Sequence, residues 1–434
     1  MNGLLRKIRN HSAKVGIIGA GYVGLPLAVE FAQAGFSTTC FDVDPEKVDT
    51  INRGRSHIKD IKGVAVKRLK AQKLLRATTD FDGLADMDTI SICVPTPLRK
   101  TKDPDISYVV AAVEEIQSRF DSGKLVVLES TTYPGTTDEI LLPMLEEDGL
   151  VCGKDFFLAF SPERVDPGNK QWNTHNTPKI IGGVTETCTK VACTLYAEAV
   201  QQVIPMTTAR SAEMVKLLEN TYRAVNIGLA NETALMCERL GIDVWEVIDA
   251  AATKPFGYMP FYPGPGLGGH CIPVDPHYLS WKLRSLNYTA RFIELAGEIN
   301  SSMPRVVTER IIDLLNDVHK SIRGSRILIL GVAYKRDVSD LRESPALDVI
   351  GNLEQRGAII AYNDPFVPSI ELGGLQLNSV ELTPKALKSA DVVLILADHS
   401  KYDYDEIVRH AKVVFDTRNA TRKVRKGRTK IALL

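Results

Sequence analysis

Three things are missing from this 434-residue sequence, and each absence removes a class of protein. No apolar run approaches the roughly 18 residues that a membrane-spanning helix needs, so no spanning segment is expected. No net charge remains once 53 basic residues are set against 53 acidic ones. That balance argues against a nucleic-acid coat or a membrane-surface protein, each of which works through a net basic field. No Cys-x-x-Cys pair occurs among the seven cysteines, Cys40, Cys93, Cys152, Cys188, Cys193, Cys237 and Cys271. Neither a zinc ribbon nor a thioredoxin-like centre is suggested, and no metal site is expected. Thiols so distributed in a large chain point to a reducing compartment. The opening MNGLLRKIRNHSAK also lacks the apolar stretch and small-residue cleavage site of a signal peptide, so the chain is read as cytoplasmic. The one local excess of charge, RKVRKGRTK at residues 422–430, is read as a solvated terminus.

What is present is too long for one core, and two or three domains are expected. From residue 14 to about 205, short β-rich runs (KVGIIG, STTCFDV, DTISICV, KLVVLES, DFFLAF, QQVIP) alternate with helical patterns such as YVGLPLAVEFAQAG and ISYVVAAVEEIQSRF. Such alternation implies a mostly parallel sheet covered on both faces. Residues 207–240 then run without proline, with Gly228 as the one internal glycine and Gly241 as a stop. At about 1.5 Å per residue this is roughly 50 Å of helix, long enough to join domains or build a dimer interface. From Arg326 the alternation returns with RILILGV, a helix capped at Ser344 with Pro345 in its first turn and Gly357 at its end, and the runs AIIAYND, DVVLILA and KVVFDTR. The expected fold class is α/β: two Rossmann-like parallel-sheet domains joined by a long central helix and a helical dimerisation region. The boundaries fall at 1–206, 207–319 and 320–434.

KVGIIGAGYVGLPLA holds Gly19, Gly21 and Gly24 in a GxGxxG turn between a strand and a helix. The first glycine permits the turn, the second lets backbone approach a pyrophosphate, and the third lets helix and strand pack. The helix N-terminus beyond Tyr22 and Val23 offers N–H groups to the phosphates. Asp42, 23 positions after Gly19, ends the second strand where a carboxylate can bind ribose hydroxyls and repel a 2′-phosphate, which favours NAD over NADP. The last segment carries only GVAYKRD, with Gly331 and Lys335; an anion site and a merely structural turn both fit it.

Lys216 and Asn220 stand one helical turn apart and could together hold an oxyanion, or could belong to a solvated helix face. In GPGLGGHCIPVD the glycines Gly266, Gly268 and Gly269 crowd ahead of Cys271, and Asp275 follows four residues later. Either Cys271 is a small buried hydrophobe, or the glycines clear a close approach to its sulfur. His270 is read as structural. Prolines Pro273 and Pro276 favour an irregular loop over a helix. With an NAD site in the same chain, the second reading has a chemistry. A thiolate adds to an aldehyde, and the thiohemiacetal so formed is a hydride donor.

VGIIGAGYVGLPLA, the K-x-x-x-N of the central helix and GPGLGGHCIPVD together resemble the UDP-glucose/GDP-mannose dehydrogenase family of UDP-sugar 6-dehydrogenases, over about residues 14–420. The wording KPFGYMPFYPGPGLGGHCIPVDPHYLSWK is more similar to the branch acting on UDP-N-acetylglucosamine than to the glucose enzymes with their shorter GFGGSC-like loop. The resemblance implies a four-electron oxidation of the C6 alcohol to a carboxylate, with two NAD reduced. Cys271 would be the nucleophile, Lys216 and Asn220 the oxyanion donors, and Asp275 the residue ordering a water that acts as base. Thr131 of LESTTYPG and Glu163 of FSPERVDPG match further active-site positions, Glu163 assisting thioester hydrolysis. Thr96 of CVPTPL matches a contact near the nicotinamide, which Thr131 also borders, and Arg342 of LRESP resembles a cofactor-side arginine. Gly268, Lys335 and Arg418 match substrate contacts, the last two holding UDP; a homodimer through the central helix is also implied.

Two departures bear on the sugar. The glucose enzymes carry a second glutamate where this chain has Pro167, and an arginine entering a neighbouring subunit's site where ATKPFGYMPFYPG offers only Lys254. UDP-glucose and UDP-N-acetylmannosamine are the alternative substrates. A nucleotide-binding regulatory protein that lost the reaction is the alternative class.

Overall fold

The computed structural model describes all residues except 100–102, 167, 168 and 170, so Pro167 lies outside the described residues. Two compact units result: residues 1–219 with 277–288, and residues 220–276 with 289–434.

The first unit is built on eight strands: β1 Lys14–Ile18, β2 Ser37–Phe41, β3 Leu75–Thr78, β4 Thr89–Ile92, β5 Leu125–Leu128, β6 Phe157–Phe160, β7 Lys179–Gly183 and β8 Val203–Met206. Their order is β3-β2-β1-β4-β5-β6-β7-β8, parallel at every pairing except β6 with β7. Nearly continuous burial along the central strands reflects a sheet covered on both faces. Helices Gly24–Gln33 and Glu186–Ala197 pack Leu25, Phe31, Val191 and Leu195 on one face. Helix Ser107–Gln117 packs Val109, Val113 and Ile116 on the other. β3 and β7 escaped the sequence reading because Arg76 interrupts the apolar run of the first, and KIIGG of the second has only two large apolar side chains. Strand order reverses between β1 and β4, which opens a crevice at the carboxyl ends of the strands.

In the second unit a five-stranded sheet runs β10-β9-β13-β14-β15, all parallel, from β9 Arg326–Leu330, β10 Ile359–Asn363, β13 Val392–Ile395, β14 Val414–Asp416 and β15 Ile431–Leu433. A small hairpin, β11 Ser369–Leu372 with β12 Leu375–Asn378, is separate. β15 corrects the reading of the basic tail as a mere solvated terminus. Lys430 Nζ donates to the carbonyls of Val408, Arg409 and Ala411 at 3.2, 3.0 and 2.9 Å, where helix Tyr404–His410 ends, and the three residues after it extend the sheet. Ser344 occupies the N-cap of helix Pro345–Gln355 as expected, but its hydroxyl donates to the Val332 carbonyl (2.7 Å) and not to the helix backbone.

The long helix runs from Ala209 to Leu240, 32 residues, and Gly241 with φ of 69° ends it. Its internal Gly228 has a packing reason. A Cβ there would lie 3.3 Å from Ala296 Cα of helix Arg291–Asn316, and the Asn231 amide donates across the same contact to Asn300 Oδ1 (2.8 Å). Among the described residues no helix is long and apolar enough to cross a membrane.

At the amino ends of the second sheet's strands, Asp391 joins three strand starts. It accepts from Lys320 (2.6 Å), Lys412 (3.0 Å) and the Arg326 N–H (3.0 Å). Burial pushes its carboxyl up, but these donors outweigh that and bring it down to about 2. A depressed carboxyl stabilises the fold above its unfolded value and loses that contribution as pH falls through its folded value. Asp391→Asn is expected to lose at most about 2 kcal/mol at neutral pH. The gap to the parent protein, read from thermal melts, should close between about pH 4 and pH 2.

Candidate active site

The turn after β1 shows why three glycines stand there. Gly19 has φ of 95° and a Cβ on it would meet the Cys93 carbonyl oxygen at 2.6 Å. A Cβ on Gly24 would lie 1.8 Å from the Gly19 carbonyl oxygen. Those two are demanded by the protein's own packing. Gly21 is not: a Cβ there meets nothing within 4 Å, which leaves room for a ligand to approach the bare backbone. An N-terminal helix turn, an open glycine and a nearby acid suit a dinucleotide pyrophosphate. Asp42, only 6% exposed, accepts from the Ala20 N–H (2.7 Å) and the Asp44 N–H (2.9 Å), so one carboxylate shapes the turn as well as bordering it. Tyr22 is exposed and Val23, half-buried, packs on the core. His57, which the sequence did not single out, places Nε2 2.8 Å from the Ala20 carbonyl. Thr96, beyond β4, is buried and its carbonyl accepts from the Tyr278 hydroxyl (2.6 Å).

The ends of β5 and β6 carry half-buried Thr131 and Glu163. Lys216 settles one open alternative: it is 8% exposed, and its ammonium donates to the Glu163 carbonyl at 2.6 Å, so it is no solvated helix face. Three residues earlier Glu213 is fully buried and accepts from the N–H groups of Gly135 (2.6 Å) and Thr137 (2.9 Å) and from the Thr137 hydroxyl (2.7 Å). Burial pushes its carboxyl up to about 7 against those donors. The Glu163 side chain accepts at Oε1 from the N–H groups of Arg164 (2.9 Å) and Val165 (2.7 Å). Burial would raise its carboxyl, but Lys179, the Val165 N–H and Lys216 outweigh burial and hold it below its ordinary value. Lys179 and Glu129 were also missed. The available signal was a lysine directly ahead of the apolar run IIGGV, a charge that needs a carboxylate partner if the strand is buried.

The second unit brings Asn220, Asp275 and Cys271 together. The Asn220 amide donates to Asp275 Oδ2 at 2.5 Å, both residues buried, and the Asp275 N–H donates to the Cys271 carbonyl at 2.8 Å. Cys271 to Val274 form the expected irregular stretch, and a helix, Asp275–Arg284, begins immediately after it. Pro276 suits a first helical turn, where its missing N–H matters least. Cys271 is half-buried, not sealed away, and none of the seven cysteines is in a disulfide. The glycines before it have a packing reason. Cβ atoms on Gly268 and Gly269 would each lie 2.7 Å from Tyr334 side-chain atoms, and one on Gly266 would lie 3.0 Å from Pro345 Cβ. They admit the chain's own 334–345 segment, whose Arg342 carbonyl accepts from the Gly269 N–H (3.1 Å). Gly264 likewise faces Arg418, whose Nη1 would be 2.5 Å from a Cβ there. Burial lowers the Arg418 guanidinium, with Asp398 and Asp416 opposing it. Lys335 Nζ lies 5.6 Å over the Tyr334 ring, and exposed Arg342 pairs with Asp340 at 2.6 Å.

Three family models match the chain: the UDP-glucose/GDP-mannose dehydrogenase family's NAD binding domain over residues 13–200, its central domain over 210–302 and its UDP binding domain over 328–423. An NDP-N-acetyl-D-galactosaminuronic acid dehydrogenase of Ralstonia solanacearum is 35% identical over 93% of this chain and 95% of its own length. Among solved structures, the UDP-N-acetylmannosamine dehydrogenase of Pyrococcus horikoshii superposes with a TM-score of 0.88 at 33% identity, covering 97% of this chain and 98% of that one. Cap5O of Staphylococcus aureus, with the same activity in its description, gives 0.82 at 34% identity, with 97% of each chain covered.

The glycine turn generates a paired test. Gly24→Ala should destabilise the protein by about 3 kcal/mol through overpacking. Gly21→Ala should stay within about 0.5 kcal/mol of the parent protein and lose NAD binding by calorimetric titration. Unimpaired binding by Gly21→Ala would remove the dinucleotide reading of this turn.

Proposed function

The chain belongs to the UDP-glucose/GDP-mannose dehydrogenase family, and from that premise we propose that it oxidises C6 of UDP-N-acetylglucosamine to the carboxylate for surface polysaccharide synthesis. Membership makes it an NAD-dependent nucleotide-sugar oxidoreductase with a UDP binding domain. The sugar, the residue roles and the division of labour among residues 1–206, 207–319 and 320–434 are this proposal's own.

Gly19–Gly24, with Asp42, Thr96, Thr131 and Arg342 as further contacts, would hold NAD, which would supply the hydride acceptor for each of two oxidations. In the first the C6 alcohol becomes an aldehyde, and a water ordered by Asp275 takes the hydroxyl proton. The Cys271 thiolate then adds to the aldehyde carbon, and the oxygen takes up a proton to give the thiohemiacetal. Loss of a second hydride and proton leaves a thioester. Water adds to its carbonyl, the carbon–sulfur bond breaks, and the thiolate departs as the carboxylate forms, with Glu163 assisting as an ionised group. Lys216 and Asn220 stabilise the oxyanion that develops on C6 oxygen. Lys335 and Arg418 hold the UDP phosphates, with Gly268 beside them. The observation that carries this reading is the buried Asn220–Asp275 contact joined by one turn to a half-buried Cys271.

One observation favours a second reading. UDP-N-acetyl-D-mannosamine dehydrogenases of several organisms are about as similar to this chain as any relative described above, at 35–36% identity. Both readings share the acetamido group and the residues. A panel of UDP-sugars followed by NADH absorbance separates them, and the expected best substrate is UDP-N-acetylglucosamine with two NADH per sugar. Preference for the mannosamine epimer would replace the first reading by the second, and preference for UDP-glucose would sink both. Cys271→Ser should stall after one NADH; unchanged turnover would remove the nucleophile.

The protein is further proposed to act in the cytoplasm as a homodimer through the central helix. Tyr222, Leu229, Met236 and Leu240 form an apolar stripe on that helix, 47, 56, 48 and 71% exposed. Single isolated apolar residues at a surface are ordinary, but a stripe at heptad-like spacing is an association face. Leu229→Glu with Met236→Glu is expected to yield monomer by light scattering. A persistent dimer would place the interface elsewhere.

A further inference from the structure

We propose that Lys179, a strand residue outside every motif of the site, is a positioning residue whose ammonium holds the Glu163 carboxylate in place as an ionised group. The inference rests on the reading of Glu163 as the group that assists thioester hydrolysis.

Lys179 opens β7 with its side chain only 5% exposed, and its Nζ lies 2.6 Å from Glu129 Oε2 and 3.5 Å from Glu163 Oε2. Glu129, immediately after β5, is sealed from solvent; its other oxygen accepts from the Tyr196 hydroxyl, itself 3.2 Å from Ser91 Oγ of β4. Two carboxylates therefore face one ammonium in a desolvated space. The remaining charged or titratable groups around Glu163 do not take its place. Lys216 reaches the Glu163 main-chain carbonyl, not the carboxylate. Arg164 is committed to Glu219 (2.6 Å) and the Pro178 carbonyl (2.6 Å). Cys93 and Tyr196 are buried, and burial keeps both in their neutral forms.

Without the ammonium, two buried acids would confront each other, and one proton would be taken up between them. A purely structural ion pair predicts loss of stability alone. A charge-setting role predicts a moved titration, and the sign follows from the geometry. Losing the cation raises the Glu163 midpoint. Losing the competing carboxylate Glu129 lowers it.

The test uses the full-length protein labelled with [13C]glutamate, the Glu163 resonance being identified by its absence in Glu163→Gln. Lys179→Met removes the cation and leaves both carboxylates in place. In that variant the Glu163 midpoint should rise by about one pH unit or more, and the acid limb of the kcat profile should rise with it. Lys179→Arg should restore both. Glu129→Gln, which keeps the ammonium, should move the midpoint down and serves if Lys179→Met does not fold. A Glu163 midpoint unmoved in whichever of these variants folds overturns the proposal. A moved midpoint with an unmoved kcat profile upholds Lys179 and instead removes Glu163 from thioester hydrolysis.

Discussion

Burying polar and charged side chains along one stripe of a helix is unfavourable unless each finds a specific partner, and the rest of the site follows from how this helix meets that demand. Glu213, Lys216 and Asn220 share the inward face of Ala209–Leu240. Glu213 is met by the N–H groups of the turn after Tyr133, Lys216 by the carbonyl of Glu163, and Asn220 by Asp275. Each partner is a loop residue at a strand end or a helix start. The helix thereby orders the loops of whichever unit it is passing through. A hydrophobic stripe would have packed as well and fixed none of them.

The two glycine-rich loops obey different constraints. In the first, Gly19 and Gly24 are required by close packing while Gly21 faces open space, so the motif separates into two packed positions and one open one. In the second, Gly266, Gly268 and Gly269 all press on the chain's own 334–345 segment. Close approach is needed in both loops, but in the second the approaching body is Tyr334 and Pro345. The Cys271 sulfur owes its half-exposed place to a loop held flat against its own unit.

A shared design recurs in both sheets. Gly19 and Gly331 each end a first strand with positive φ, and each donates its N–H to the last or next strand's end, Phe41 in one sheet and Asn363 in the other. An aspartate then closes the turn: Asp42 takes the Ala20 N–H, and Asp364 takes those of Val332 and Ala333. Asp364 also accepts from His399 and from the N–H groups of Phe366 and Val367. A carboxylate with so many protein donors has little capacity left for ribose hydroxyls. The second sheet thus keeps the turn with a more fully engaged aspartate.

The sequence by itself determined the alternating strands and helices, the glycine turn, the long helix with its stop at Gly241, and the grouping of Asp275 with Cys271. All of these are set by neighbours within a few positions, through φ preferences, capping and periodicity. Tertiary structure alone decided that Lys216 points inward, that Lys179 stands between two carboxylates, that the glycines ahead of Cys271 serve packing, and that the basic tail ends in a strand. Those outcomes depend on partners such as Glu163 and Glu129, 53 and 50 positions away in the chain. A buried charge reveals its reason only when the group that neutralises it has been brought alongside.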